Sequence, residues 1–307
     1  MSALKSDKPA TVENGPEKTA AVGIPAFSFG AGDLDDAPEV DIGVRSFARK
    51  QASGPVFDGI DLTGKPKIIL VAGRGKTGKT TAIRWMAETA LANGRPLLMG
   101  DLDPTNASFS TYFQGVHRPT DADSPALMLK WLEQFLSHAI KHHQTAVVDL
   151  GGGDTTLRRL VDELPDLSSM AAEEGSALVT FYHVGPQVDD LSPIATMEAR
   201  GFQPEATAIV MNEASIDPGL TREQAFARVH KHSVFREAIG RGAVPVWMPR
   251  LLVADAIEAR RLHFVPTRDG VAGKDGQPAM GAFDRSRVRS WLASMDEQYG
   301  GVRTWLP

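Results

Sequence analysis

From residue 67 onward, short apolar runs recur along the chain with room for a helix between each and the next: 67–72, 96–101, 145–150, 177–183, 207–212 and 243–248. Helical patterns fill the gaps. One covers 80–93 and is followed by Gly94; another opens at Ser124-Pro125, a cap followed by proline at the first helical position, and continues through Leu127, Leu129, Trp131, Leu132, Phe135, Leu136 and Ile140. Further helices are expected near 155–163, 188–200, 221–232, 252–262 and 283–297. Strands alternating with helices predict an α/β fold, a doubly wound, mostly parallel sheet flanked by helices on both faces.

Residues 1–55 break with this pattern. They are rich in Ala, Gly, Pro, Asp and Lys, carry the acidic patch Asp33-Leu-Asp-Asp36 and show no sustained period. Such composition cannot bury enough apolar surface to order itself, so 1–55 reads as a disordered or loosely attached arm and 56–307 as the folded domain. The short apolar piece Ile24-Pro-Ala-Phe-Ser-Phe29 is the arm's candidate partner contact.

Composition narrows the classes. With 307 residues and 42% hydrophobic content, the chain can build a sizeable core. It has no cysteine, which excludes disulfides and thiolate metal sites. No stretch approaches the roughly 18 apolar residues of a membrane span and the start lacks an apolar leader, so the expectation is a cytoplasmic protein with no membrane partner. The net charge of -5 is unevenly spread. Residues 1–66 carry 7 basic and 10 acidic side chains, 67–220 carry 12 and 19, and 221–307 carry 14 and 9. The basic last third is a candidate DNA-facing surface, with Arg285, Arg287 and Arg289 its densest run.

The chemistry concentrates at residues 73–80, Gly-Arg-Gly-Lys-Thr-Gly-Lys-Thr, a complete GxxxxGK[ST] phosphate-binding loop directly after the apolar run Lys67-Ile-Ile-Leu-Val-Ala72. A buried strand ending in such a turn aims main-chain N–H groups and a helix N-terminus at phosphates. Gly73, Arg74, Gly75, Lys76, Thr77, Gly78, Lys79, Thr80 and Thr81 are therefore the candidate nucleotide-binding residues, with Lys79 reaching the β- and γ-phosphates and Thr80 placed to ligate Mg²⁺. Acidic residues at other strand ends complete the set, because ligands of parallel sheets sit beyond the carboxyl ends of strands. Asp149 ends Ala146-Val-Val and precedes Gly151-Gly-Gly153, as a Walker B carboxylate would; Asp101 and Asp103 lie just past the second strand and suit Mg²⁺ and water positioning.

In this order and spacing the chain resembles the ParA/MinD family of deviant-Walker P-loop ATPases. The resemblance runs over residues about 66–265. It rests on the loop, on Asp101-Leu-Asp-Pro with Thr105-Asn106-Ala107, on Val147-Val-Asp-Leu-Gly-Gly152, on Val210-Met-Asn212 and on Val244-Pro-Val-Trp-Met-Pro249. It implies a P-loop NTPase fold, ATP and Mg²⁺ as ligands, ATP hydrolysis, and a homodimer formed on ATP binding. By motif, Lys79 resembles the phosphate-binding lysine, Asp103 the residue that orients attacking water, Asp149 the Walker B acid, Asn212 the asparagine that reads adenine, and Pro249 a neighbour of the base. The loop's front departs from the pattern. The family writes Lys-Gly-Gly-x-Gly-Lys, its first lysine crossing to the partner's phosphates, whereas here Arg74 stands at that lysine and Lys76 at a glycine. An arginine fork bridges two phosphate oxygens, so Arg74 could still supply a cross-subunit cation and is a candidate catalytic residue, though its reach and geometry differ from a lysine's.

Family members position, partition or transfer plasmid DNA or protein complexes, so DNA and an unidentified protein are the expected partners. Competing readings are a small-molecule kinase or ligase on the same loop, for which no second substrate motif is visible, and a weakly hydrolysing scaffold. Asn212-Glu-Ala-Ser215 occupies the place of a guanine-reading Asn/Thr-Lys-x-Asp, which disfavours GTP. His138, His142 and His143 read as a polar helix face, Trp131 and Phe135 as core, and Arg158-Arg159 as a solvated face.

Overall fold

The computed structural model describes residues 57–103, 108–120, 124–152, 155–273 and 276–307. The arm at 1–55, the Thr105–Ala107 segment and Gly153 lie outside the described residues. Seven strands, all paired in parallel, form one sheet: β1 (Lys67–Gly73), β2 (Leu98–Asp101), β3 (Val116–His117), β4 (Ala146–Asp149), β5 (Ala177–Val184), β6 (Ala206–Asn212) and β7 (Val244–Met248), in the order β3-β2-β4-β1-β5-β6-β7.

The helices are α1 (Lys79–Ala92), α2 (Ser108–Tyr112), α3 (Pro125–Lys141), α4 (Thr156–Glu163), α5 (Leu167–Glu173), α6 (Ser192–Glu198), α7 (Arg222–Lys231), α8 (Ser233–Gly240), α9 (Ala254–Ala259), α10 (Phe264–Arg268) and α11 (Ala282–Gln298). Side chains alternate across each strand, so the buried strand β1 feeds two cores. Ile69 and Val71 pack under α1, α2 and α9–α11, while Ile68, Leu70 and Ala72 pack under α3–α8. This is a doubly wound sheet covered on both faces. Among the described residues no helix is long and apolar enough to cross a membrane.

The structure adds elements that the periodicity does not show. The two-residue β3, the five-residue α2 and α10, α5, and the 3₁₀ segment Gly300–Trp305 were not expected. β2 starts at Leu98, not at residue 96, because Pro96 has no N–H to give the ladder. The segment expected as one helix over 188–200 is a 3₁₀ turn, Val188–Leu191, running into α6. Immediately past the helix expected over 221–232 a second one begins. His232 takes an extended conformation, and its Nδ1 accepts the Val234 N–H at 3.3 Å, so a histidine does the capping that sequence reading assigns to Ser, Thr, Asp or Asn.

The strand order reverses at β1, between β4 and β5, which places its carboxyl end at the crevice where such sheets take ligands. Gly73 pairs with His183, Val71 with Asp149, and Asp101 with Asp149. Register alone therefore brings the phosphate loop and both strand-end acids to one place.

Candidate functional site

Gly73 leaves β1 at φ 144, and a Cβ there would stand 2.4 Å from the carbonyl oxygen of His183, so glycine is required by both conformation and space. The loop then closes on itself: the Thr77 hydroxyl donates to the Arg74 carbonyl at 2.8 Å, and Gly78 at φ 90 turns the chain into α1. Lys79 lies 7% exposed beneath the loop and its Nζ donates to the carbonyls of Gly73 (3.0 Å) and Arg74 (2.9 Å). Burial holds its pKa below the ordinary lysine value, opposed by the charges of Asp149 and Asp103. Thr80 Oγ1 donates to Asp149 Oδ2 at 3.0 Å, and Thr81 lines the same groove. The groove holds about 1040 Å³ and runs from Asn212 and Ala214 across Lys79 and Thr80 to Asp103 and Tyr112.

Asp149 is 2% exposed. Burial first, then the neighbouring Asp101, pushes its carboxyl up to about 7, against the pull of Lys79 and the Thr80 hydroxyl. A divalent cation fits this pair. Thr80 and Asp149 offer hard oxygen donors side by side, and added positive charge would offset the cost of ionising Asp149 there. Among the described residues no three acidic or histidine side chains are grouped so as to hold a metal ion by themselves.

Asp101 differs from expectation. Its Oδ1 accepts the Asp103 N–H and its Oδ2 the Ser110 N–H, both at 3.0 Å, while the residue is fully buried. Both carboxylate oxygens thus shape the loop after β2 and tie it to α2, which gives Asp101 a structural role beside the metal-ligand role expected of it, while Thr80 and Asp149 remain the candidate pair at the loop. Asp103 is half-buried and faces the groove, its carbonyl accepting from Arg118 Nη2 at 3.2 Å.

The two residues expected at the base make contacts of their own. Asn212 is buried against the loop: its Nδ2 donates to the Thr77 carbonyl at 3.0 Å and its Oδ1 accepts the Ala214 N–H at 2.9 Å. Its amide nitrogen would lie 2.5 Å from a Cβ at Gly78. The carboxamide braces the phosphate loop. Pro249 does not line the groove; its carbonyl accepts from Trp291 Nε1 at 2.9 Å and anchors α11.

At the loop's front, Gly75 and Lys76 are exposed and line the groove. Lys76 has φ 64, the left-handed region, which is why a glycine suits this place and a lysine is strained there. Arg74 turns the other way. Its Nη1 lies 3.6 Å from Asp190 Oδ1 and 3.8 Å from Asp189 Oδ2, with 48% of the side chain exposed.

Residues that sequence reading missed form the groove's far wall. Arg84, 2% exposed, lies one turn after Thr80 on the same face of α1. Its guanidinium stacks 3.4 Å from the Tyr112 ring centroid and 4.4 Å from that of Phe264, and Nη2 donates to the Leu262 carbonyl at 2.8 Å. The available signal was an arginine set between apolar neighbours, Ala82-Ile83 before it and Trp85-Met86-Ala87 after it. Behind the loop His183 is fully buried; burial, then Lys79, lowers its pKa to about 3 against a weaker pull from the Thr77 backbone, and keeps it neutral. Trp131 stacks on Phe135 at 5.1 Å over Gly100, and the neighbouring His138 and His142 belong to no metal cluster among the described residues.

A pH dependence follows from Asp149. Its folded-state pKa of about 7 stands above the ordinary 3.8, so its contribution is full below that lower value and is lost as pH rises through the higher one. The nucleotide-free wild type should lose roughly 2 kcal/mol relative to Asp149→Asn between pH ~5 and ~7. Thermal melts of both proteins across that range check this; parallel pH profiles would refute it. The comparison is made between two proteins because His183, whose pKa is lowered, acts in the opposite sense at acid pH.

A parallel doubly wound sheet, a glycine-rich loop closing β1 onto α1, and a Thr–Asp pair at the loop define a nucleotide-binding P-loop NTPase fold. No family model matches the chain, and no curated protein matches it. Among solved structures, it is similar to the signal recognition particle receptor FtsY from Elizabethkingia anophelis at 15% identity and TM-score 0.38, over 75% of this chain and 66% of that one, just under two thirds of its length. The same receptor in complex with GDP gives 16% and 0.39 over 78% and 68%, and FtsY from Mycoplasma mycoides gives 12% and 0.36 over 80% and 73%.

Proposed function

We propose that this chain is an ATP-hydrolysing switch of the ParA/MinD type, which dimerises over ATP and Mg²⁺ and releases on hydrolysis, in the positioning, partition or transfer of plasmid DNA or a protein complex. The observation that carries the reading is the division of cations in one loop. Lys79 is buried beneath the loop, within its own subunit, while Arg74 stands half-exposed at the front where the family has its cross-subunit lysine. Mg²⁺ would supply charge neutralisation between phosphate oxygens and the Thr80–Asp149 pair. Lys79 exchanges its two loop carbonyls for phosphate, Asp103 orients water, and Gly151-Gly152 follows the state of Asp149. Preference for ATP over GTP rests on the absence of a guanine-reading motif after β6.

The dimer is tested by sedimentation with a non-hydrolysable ATP analogue. Arg74→Ala should weaken dimer formation at least about tenfold while leaving monomer affinity within a few-fold, since a symmetric dimer has two such contacts. A wild type that stays monomeric with saturating analogue ends the switch reading. DNA as cargo finds less support in α11: Arg287 pairs with Asp284, and Arg285 is half-buried, its Nη1 2.3 Å from where a Cβ at Gly270 would stand. Protein cargo is thereby favoured over a continuous cationic strip for DNA.

A further inference from the structure

Arg74 is held by a built feature of its own subunit. β5 runs beside β1 and passes the phosphate loop before turning at Gly185, so the acidic pair Asp189 and Asp190 in the following 3₁₀ turn hangs at the loop's front. The two acids differ. Asp189 has 85% of its side chain exposed, whereas Asp190 has 11%, its Oδ2 accepting the Gly185 N–H at 3.0 Å. A Cβ at Gly185 would stand 2.8 Å from that oxygen, so glycine makes the seat in which the carboxylate is fixed. One oxygen is spent on the seat and the other faces Arg74.

The geometry points to Asp190, seconded by Asp189, as a counter-ion latch that holds the Arg74 guanidinium against its own subunit and sets how readily two subunits join over nucleotide. This rests on the proposed dimerisation. Arg74 cannot remain at Asp190 and also reach a partner's phosphates, so every dimer formed must open two latches. Asp190 is a positioning residue: its part in the dimer is played through Arg74. At 3.6–3.8 Å and half-exposed, each ion pair is loose, which suits a contact that must open in every cycle.

The test is a double-mutant cycle read by sedimentation with a non-hydrolysable ATP analogue. Asp190→Asn keeps an oxygen to accept the Gly185 N–H and removes the charge, so it should fold and dimerise about fivefold more tightly than wild type. The gain should shrink in about 1 M salt, which screens the pair, and vanish in the Arg74→Ala background. If wild type dimerises but Asp190→Asn does not differ from it, or if the gain persists without Arg74, the latch is overturned while the dimer stands. If neither protein dimerises, the dimer reading falls and takes the latch with it; if only Asp190→Asn dimerises, the latch is upheld in its strongest form. Should Asp190→Asn fail to fold, Asp189→Asn decides the question, because it leaves the buried seat intact: a smaller shift in the same direction supports the latch, and none overturns it.

Discussion

Lys79→Ala is expected to lower affinity for a fluorescent ATP analogue at least a hundredfold, the largest effect of any single substitution in the loop. Hydrogen bonds to charged groups contribute roughly 1.5–3 kcal/mol each, and losing even one to each of two phosphates amounts to about 3 kcal/mol or more, which is two orders of magnitude in affinity. The variant should still fold. Burial already works against the charged form of Lys79, so removing it deletes an unfavourable desolvation as well as two hydrogen bonds to loop carbonyls. The neighbouring Lys76 does not replace it, since it is exposed on a left-handed turn at the rim of the groove rather than buried beneath the loop. Binding within a few-fold of wild type, with an unchanged melting temperature, would end the phosphate-loop assignment of Lys79.

Asp103→Ala should leave binding within a few-fold and slow single-turnover hydrolysis by about a hundredfold, the lower end of what a positioned acid–base group contributes. The main chain at Asp103 is held by its N–H to Asp101 Oδ1 and by its carbonyl to Arg118, two contacts that truncation of the side chain leaves in place. The same substitution at Asp101 would do the reverse: both its oxygens hold main-chain N–H groups, so it should destabilise the β2–α2 connection whatever happens to turnover. Phosphate release at the wild-type rate by Asp103→Ala would move the water-orienting role elsewhere.

The six principal strands and the phosphate loop were legible because each is written locally, as an apolar run or a glycine pattern whose conformation few other residues allow. The site's outline was legible for the same reason: strand ends converge by topology, so Asp103 and Asp149 could be placed before any distance was known. The uses of Asp101, Asn212 and Pro249 were not. An acid at a strand end reads alike whether its oxygens face a cation or neighbouring N–H groups, and only the turn into α2 decides that for Asp101. Asn212 stands at the right strand end, but the turn to Ala214 and the underside of the loop claim both ends of its amide. Arg84 illustrates the same limit. Helical periodicity places it toward the core, yet its burial is made tolerable by Tyr112, Phe264 and the Leu262 carbonyl, which come from two distant segments. α2 and β3 are too short to express a period at all.

Gly152 gives the proposed switch its mechanical character. A Cβ added there would lie 2.6 Å from both the nitrogen and the Cα of Gly75, so the two nucleotide loops meet backbone to backbone with no side chain between them. Such a contact has no compliance: side chains can change rotamer to absorb a shift, whereas two bare main chains either slide together or separate. Whatever displaces the segment after Asp149 must therefore displace the phosphate loop's front, and Arg74 with it. The pair behaves as a gear tooth in its slot, carrying a change at the buried carboxylate to the outermost cation of the loop.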